Sequence, residues 1–124
     1  MKSATEIEAM TVIGEIRGRN VLMVDDLTET AGTVTAAARL LKKKGAKKII
    51  ACVSHAILND LGIERLRKST IDELITTDTV SRSAIEGVKV TTLSVAGLLG
   101  EAIKRINSNS SVTSLFEFKG GRTS

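Results

Sequence analysis

One stretch near the start of the chain constrains its fold more than any other. An apolar run at residues 21–24 leads directly into two acids, Asp25 and Asp26, and then into a loop of hydroxyl-bearing and small residues at 28–33. An Ala-rich segment with apolar residues at helical spacing follows this loop. A strand that enters a helix through small residues is the repeating unit of parallel α/β proteins, so the sequence predicts that class.

The alternation of strand and helix continues to the end of the chain. The apolar patterns predict strands over residues 20–25, 48–54, 73–76 and 89–94, and helices over 32–44, 63–68 and 95–107. Thr33 is the expected N-cap of the first helix, and Gly45 its stop. The run at 48–54 lacks alternation, so we expect that strand to be buried on both faces. The predicted fold is a three-layer α/β arrangement, a parallel sheet flanked by helices.

Composition fits a single globular domain. The chain has 124 residues, 42% of them hydrophobic, with two Phe, no Tyr and no Trp, so the core must be built from aliphatic side chains. We expect one domain over residues 1–119 and a frayed tail over 120–124. No apolar run is long enough to span a bilayer, no signal peptide is visible, and Cys52 is the single cysteine. These features predict a cytoplasmic protein without membrane association.

The net charge of +4 raises the question of a nucleic-acid partner. The basic residues cluster at 42–48, where they flank one predicted helix end and favour the helix dipole, and at 65–68 on another helix. No aromatic residue lies among them to stack on bases. We interpret these clusters as solvated helix ends and expect no nucleic-acid partner.

The residues after the first strand have the chemistry of a sugar-phosphate site. The start of a helix offers unpaired N–H groups and a partial positive charge, which suit an anion. Asp25 and Asp26 would repel a phosphate, but their carboxylates accept hydrogen bonds well from neighbouring sugar hydroxyls. By residue type alone, capping and turn formation explain the same pattern, and that alternative stays open.

Residues 25–33, Asp-Asp-Leu-Thr-Glu-Thr-Ala-Gly-Thr, resemble the phosphoribosyl pyrophosphate (PRPP) loop of type I phosphoribosyltransferases and PRPP synthetases. Two later stretches, 73–79 and 93–116, resemble the C-terminal half of ribose-phosphate pyrophosphokinases. The resemblance covers nearly the whole chain and implies a phosphoribosyltransferase-like fold, one half of a two-domain synthetase. Such enzymes transfer pyrophosphate from ATP to ribose 5-phosphate in nucleotide biosynthesis.

The resemblance implies a role for each residue of the loop. It assigns Asp25 and Asp26 to the ribose hydroxyls, and a turn to the phosphate; that turn comprises Thr30, Ala31, Gly32 and Thr33. Glu29, also placed in the substrate site, stands where the family commonly has Asp. No lysine lies near the turn in the sequence, so the helix end and a Mg²⁺ ion that bridges substrate oxygens are expected to neutralise the phosphate. The resemblance places the metal ligands and the catalytic groups in the N-terminal half, so none is expected here.

Three residues near the end of the chain, Ser111, Thr113 and Phe116, match family positions that bind a regulatory phosphate at a subunit interface. The resemblance thus implies ribose 5-phosphate or PRPP as ligand, ATP only together with the missing half, and a homo-oligomer. The chain by itself is expected to be inactive. A phosphoribosyltransferase fragment and a non-catalytic, synthetase-associated regulatory module remain as alternatives.

A hydrolase triad at Ser54, His55 and Asp60 is not expected. Adjacent residues of a strand point to opposite faces, so Ser54 and His55 cannot share a proton. We interpret His55 as a structural residue at a strand end, and the hydroxyl-rich stretch 76–79 as a turn with a capping acid.

Overall fold

The computed structural model describes residues 12–117. The sequence also predicts an extended or weakly ordered lead-in over residues 1–19, of which residues 1–11 lie outside the described part, as does the expected frayed tail 120–124. The elements are β1 (Asn20–Thr28), α1 (Gly32–Lys43), β2 (Lys48–Ala56), α2 (Asp60–Arg67), β3 (Glu73–Thr77), β4 (Val90–Leu93), α3 (Ala96–Asn107) and a 3-10 helix (Thr113–Phe116). They fall into two compact units that divide after Leu93.

The first unit contains one parallel sheet. Its four strands lie in the order β1-β2-β3-β4, and each pair of neighbours is parallel. The predicted α/β class with a parallel sheet is therefore confirmed. The connections through α1 and α2 are the helical crossovers that parallel neighbours require.

The core lies on one face of this sheet. Strand register places Met23, Ala51 and Leu74 side by side on that face, where they pack with residues of α1 and α2. Ile49 and Leu74 are fully buried, and removing an aliphatic side chain of this size from water contributes about 1.5–3 kcal/mol.

The expectation that β2 is buried on both faces was wrong. In residues 12–117, Ile49, Ala51 and Val53 are buried, whereas the intervening Ile50 and Cys52 are only partly so. Within the first unit, the helices α1 and α2 pack on one face of the sheet. An unbroken apolar run in the sequence does not show that only one face of the strand is covered.

Other boundaries moved because of contacts that sequence patterns do not report. β1 continues three residues past its predicted end, because Leu27 and Thr28 still pair with β2. α2 begins at Asp60, earlier than predicted, because the Asn59 side chain accepts a 2.8 Å hydrogen bond from the Gly62 amide and caps the helix.

The second unit contains α3 and the 3-10 helix. α3 matches its predicted bounds closely, and Gly97 and Gly100 lie within it. It buries no side chain, and Leu98, Leu99, Ile103 and Ile106 are each at least half exposed. None of the helices in residues 12–117 combines the length and apolar character needed to cross a membrane.

Candidate functional site

The turn between β1 and α1 is built around an unusual helix start. The N-cap is Ala31, a buried residue in the left-handed conformation (φ 55°, ψ 15°), and not Thr33, which is the second residue of the helix. Ala31 has no side-chain oxygen and so cannot bond to the N–H groups of the first turn. Its carbonyl accepts from the Thr35 amide at 3.0 Å and from the Thr35 hydroxyl at 2.6 Å, which anchors the helix start.

The amides of this turn are available to a ligand. Among residues 12–117, no acceptor faces the backbone N–H groups of the six consecutive residues 29–34. Unpaired N–H groups at a helix start carry partial positive charge and point along the helix axis toward the preceding loop. The arrangement can therefore bind an anion through the backbone alone.

The two predicted sugar-binding acids lie just before this turn, and both are exposed. Because β1 extends to Thr28, Asp25 and Asp26 are strand residues and leave opposite faces of the strand. The Asp26 amide donates to Asp25 Oδ1 at 2.8 Å, so one Asp25 oxygen is engaged locally. Within the described part of the chain, the second Asp25 oxygen and both Asp26 oxygens accept no hydrogen bond, so they can accept from water or from a sugar hydroxyl.

The other residues predicted for this site surround the turn. Glu29 and Thr33 are exposed, Thr30 and Gly32 are half-buried, and Ala31 is buried. The exposure of Glu29 fits the presence of a longer acid there, since the extra methylene meets no packing constraint. The structure thus brings all the predicted turn residues together at the carboxyl end of β1.

A cation lies at the turn that sequence reasoning missed. Arg65 of α2 donates from Nη1 to the Thr30 carbonyl at 3.1 Å, and the same Nη1 lies 3.1 Å from the place that a Cβ on Gly32 would occupy. The absence of a nearby lysine therefore does not leave the turn without a basic group. Arg65 follows Thr30 by 35 residues, and the sequence carries no local signal for this contact.

Hydroxyl groups line the ends of β2 and β3. His55 Nδ1 lies 2.7 Å from Thr79 Oγ1, and Thr77 Oγ1 donates to the Ser54 carbonyl at 2.6 Å. In these contacts Ser54 takes part through its carbonyl and His55 through its ring Nδ1. These bonds tie the segment after β3 to β2, which is a structural role.

The predicted regulatory residues form a small polar cluster in the second unit. The Ser111 hydroxyl donates to Thr113 Oγ1 at 3.1 Å and accepts from the Thr113 amide at 3.2 Å. The alternation of residues over 111–118 favours a short strand, but Thr113–Phe116 form a 3-10 helix, and Phe116 is 84% exposed. Arg105 of α3 donates to the Ser111 carbonyl and the Ser114 hydroxyl, which places a cation at this cluster. The regulatory role stays a prediction.

Ion pairs strengthen the scaffold beside the site. The pKa of Glu73 is lowered, first by the hydrogen bond from Thr91 and then by Lys89 and Lys48, so this carboxylate links three strands. The pKa of Glu64 is lowered mainly by Lys68, which lies 2.8 Å away one turn later in the sequence. Among residues 12–117, no group of three acidic, His or Cys side chains could hold a metal ion.

Comparison with known proteins agrees with this architecture. Residues 1–117 match the family model described as the phosphoribosyl synthetase-associated domain. The chain belongs to this family.

The chain is similar to proteins named ribose-phosphate pyrophosphokinase. The ribose-phosphate pyrophosphokinase of Campylobacter jejuni is 42% identical over 116 residues, which are 93% of this chain and 37% of that protein. The enzyme of the same name from Aquifex aeolicus is 45% identical over 109 residues, 88% of this chain and 35% of that protein. The chain thus spans little more than a third of these relatives.

A solved structure shows the same fold. The crystal structure of phosphoribosylpyrophosphate synthetase from Mycobacterium smegmatis superimposes with a TM-score of 0.70 at 31% identity, covering 79% of this chain and 33% of that one. The expected relation to the phosphoribosyltransferase-like fold is consistent with this neighbour and with the parallel sheet.

Proposed function

We propose that this chain is the ribose-5-phosphate-binding, C-terminal half of a ribose-phosphate pyrophosphokinase. One observation carries the proposal: two exposed carboxylates near the end of β1 stand two residues before a turn whose successive amides have no acceptor among residues 12–117. Carboxylates accept from sugar hydroxyls, and the amides receive a phosphate. A sugar phosphate has both groups in one molecule.

In this proposal the chain holds and orients one substrate. The turn at residues 30–33 binds the 5-phosphate, and Asp25 and Asp26 accept from the ribose hydroxyls. Fixing the sugar at both ends aims its 1-hydroxyl, which attacks the β-phosphorus of ATP as the bond to the α-phosphate oxygen breaks and AMP leaves. Positioning of this kind is a large part of phosphoryl-transfer catalysis.

The remaining chemistry is assigned to groups outside this chain. Mg²⁺ would neutralise charge on the transferring phosphates. Because the described residues contain no set of three ligands for a metal, the ion would be held by substrate oxygens and by the rest of the enzyme. ATP binding is likewise assigned to the missing half. We place the protein in the cytoplasm, where the free Cys52 stays reduced.

Exposed apolar side chains support a further part of the proposal, a homo-oligomer. Leu22 and Val24 of β1 are 59% and 78% exposed, and Ile13 and Phe116 are also largely exposed. Apolar surface of this kind favours association with another subunit. Val12 and Ile16 add little to this surface, because they pack against the core.

Two measurements test the proposal. Isothermal titration of the purified chain with ribose 5-phosphate is expected to show binding, with inorganic phosphate as a weaker competitor. An assay with ATP, Mg²⁺ and ribose 5-phosphate is expected to show no PRPP from the chain alone, and activity when the N-terminal half of a relative is added. PRPP synthesis by the chain alone would contradict the half-enzyme assignment. Binding without activity in the mixed assay would favour the non-catalytic regulatory module.

A further inference from the structure

We propose that residues 57–65, here called the bracing segment, hold the phosphate-binding turn in its binding conformation, with Gly62 and Arg65 as the positioning residues. This inference rests on the proposed function of the turn. The bracing segment comprises the loop after β2 and most of α2, and nothing in the chemistry of the sugar or the phosphate requires it to contact the ligand.

The first observation concerns the carbonyl groups of the turn. Three consecutive carbonyls accept hydrogen bonds from the bracing segment: Thr28 from the Ile57 amide at 3.0 Å, Glu29 from the Asn59 amide at 3.1 Å, and Thr30 from Arg65 Nη1 at 3.1 Å. The next carbonyl, that of Ala31, is taken by Thr35. Every carbonyl of the turn before α1 is therefore engaged.

The orientation of the amides follows from that of the carbonyls. In a planar trans peptide, the C=O of one residue and the N–H of the next point in opposite directions. Because the carbonyls of residues 28–30 point toward the bracing segment, the N–H groups of residues 29–31 point away from it. These are among the amides that have no acceptor within residues 12–117. The bracing segment thus turns the acceptors inward and presents the donors to a ligand.

Gly62 allows the two segments to approach this closely. A Cβ at residue 62 would lie 2.3 Å from the Glu29 carbonyl oxygen, a distance at which the backbone of the turn must shift. Glycine is less favourable than alanine within a helix, so its presence in α2 is unfavourable locally. The close contact with Glu29 explains why a residue without a side chain lies there.

Arg65 adds charge to the same support. Its guanidinium has five N–H donors. Among residues 12–117 it makes one hydrogen bond, to the Thr30 carbonyl. The side chain is exposed and lies beside the first residue of α1, so its charge adds to the positive potential that the helix start presents to an anion. Arg67 on the same helix differs, because it pairs with Glu64 at 3.1 Å and bonds to the Glu86 carbonyl.

The test uses the complete chain and four variants, Gly62→Ala, Arg65→Gln, Arg65→Lys and the control Arg67→Gln. Titration with inorganic phosphate and, separately, with ribose 5-phosphate measures binding, and backbone amide NMR spectra report the conformation of residues 29–34. Arg67→Gln removes the same charge from the same helix without touching the turn, so it separates a local effect from a change in net charge.

We expect Gly62→Ala and Arg65→Gln to weaken both ligands equally, by about tenfold, the equivalent of one charge-assisted hydrogen bond. The amide signals of residues 29–34 should shift in both variants, whereas those of α3 should not. Arg65→Lys keeps one donor and the charge and should recover most of the loss. The control should bind as the original chain does.

The outcomes separate this inference from the proposed function. If the original chain binds ribose 5-phosphate and Arg65→Gln binds it equally well with unshifted amide signals, the bracing role is refuted and the proposed function stands. If the original chain binds neither ligand, both fail. If Gly62→Ala does not fold, Arg65→Gln decides the question, because its side chain is exposed and its loss leaves the core intact.

Discussion

The division of labour between the acids of β1 and the turn can be tested by substituting each acid separately. Asp26→Asn keeps the size of the side chain and removes its charge. Asp25→Asn does the same and also keeps an Oδ1 that accepts from the Asp26 amide, a bond of 2.8 Å that Asp25→Ala would break. Both side chains are exposed, so neither asparagine leaves a cavity or a buried unpaired group.

The size of the effect follows from the kind of hydrogen bond that is lost. A bond to a charged acceptor contributes about 1.5–3 kcal/mol and a neutral one about 0.5–1.5 kcal/mol. Each asparagine variant should therefore lose about 1–1.5 kcal/mol of ribose 5-phosphate affinity, close to tenfold. The alanine variants remove the bond entirely and should lose about 1.5–3 kcal/mol, up to roughly a hundredfold.

Inorganic phosphate should behave in the opposite way. Inorganic phosphate has no sugar hydroxyl that could bond to the acids, and each asparagine removes a negative charge that repels it. Its binding should therefore be unchanged or slightly tighter in Asp25→Asn and Asp26→Asn. Titration of both ligands into each variant measures the two effects. Glu86→Gln, an exposed acid between β3 and β4, is the control for net charge.

The outcome that refutes this reasoning is an equal loss for both ligands. Such a result would mean that the acids shape the turn itself and do not contact the sugar. Unchanged binding of ribose 5-phosphate in both variants would remove the acids from the site altogether.

Three further predictions address the turn, the scaffold and the surface. Gly32→Val should lose phosphate binding but keep the fold, as measured by circular dichroism. The fold should survive because the new Cβ would meet only the flexible end of Arg65 at 3.1 Å and Thr30 Oγ1 at 3.6 Å. Unaltered phosphate binding would show that the turn is only the start of a helix. Glu73→Gln should lower the free energy of unfolding at neutral pH. Because Thr91 and the nearby lysines hold the pKa of Glu73 below its ordinary value of 4.5, the difference in unfolding free energy should fade as the pH falls from 4.5 through that lowered pKa. Denaturant unfolding at several pH values measures it, and a constant difference would mean that these partners do not favour the ionised carboxylate. Val24→Thr should reduce self-association in sedimentation experiments with little change in stability, because Val24 is 78% exposed; an unchanged oligomer would exclude this surface.

Much of the site could be predicted from the sequence because its signals are local. The strand that contains Asp25 and Asp26, the small-residue turn and the helix that starts at Gly32 are consecutive, and each depends on residue spacing or on the preferences of a few neighbours. The parallel sheet follows from the same alternation of strands and helices, which leaves few other arrangements.

Residue preferences at helix starts predicted the wrong N-cap for α1. Thr33 is a better N-cap than Ala31 by residue type, yet the chain turns at Ala31, a residue that is 2% exposed and packs into the core with its left-handed backbone. Gly32 does not require a positive φ, contrary to the usual reason for a glycine in such a turn. Burial of the Ala31 methyl group in the core outweighs the capping preference.

Only the tertiary structure decided what supports the turn. The bond from Arg65 to the Thr30 carbonyl joins residues 35 apart, and the close approach of Gly62 to Glu29 depends on how α2 packs against the loop before α1. A sequence pattern records which residues follow one another, whereas these contacts arise when separate segments pack on one face of the sheet. The amino-acid order by itself therefore determined the chemistry offered at the end of β1, and packing determined which way its amides point and which cation lies beside them.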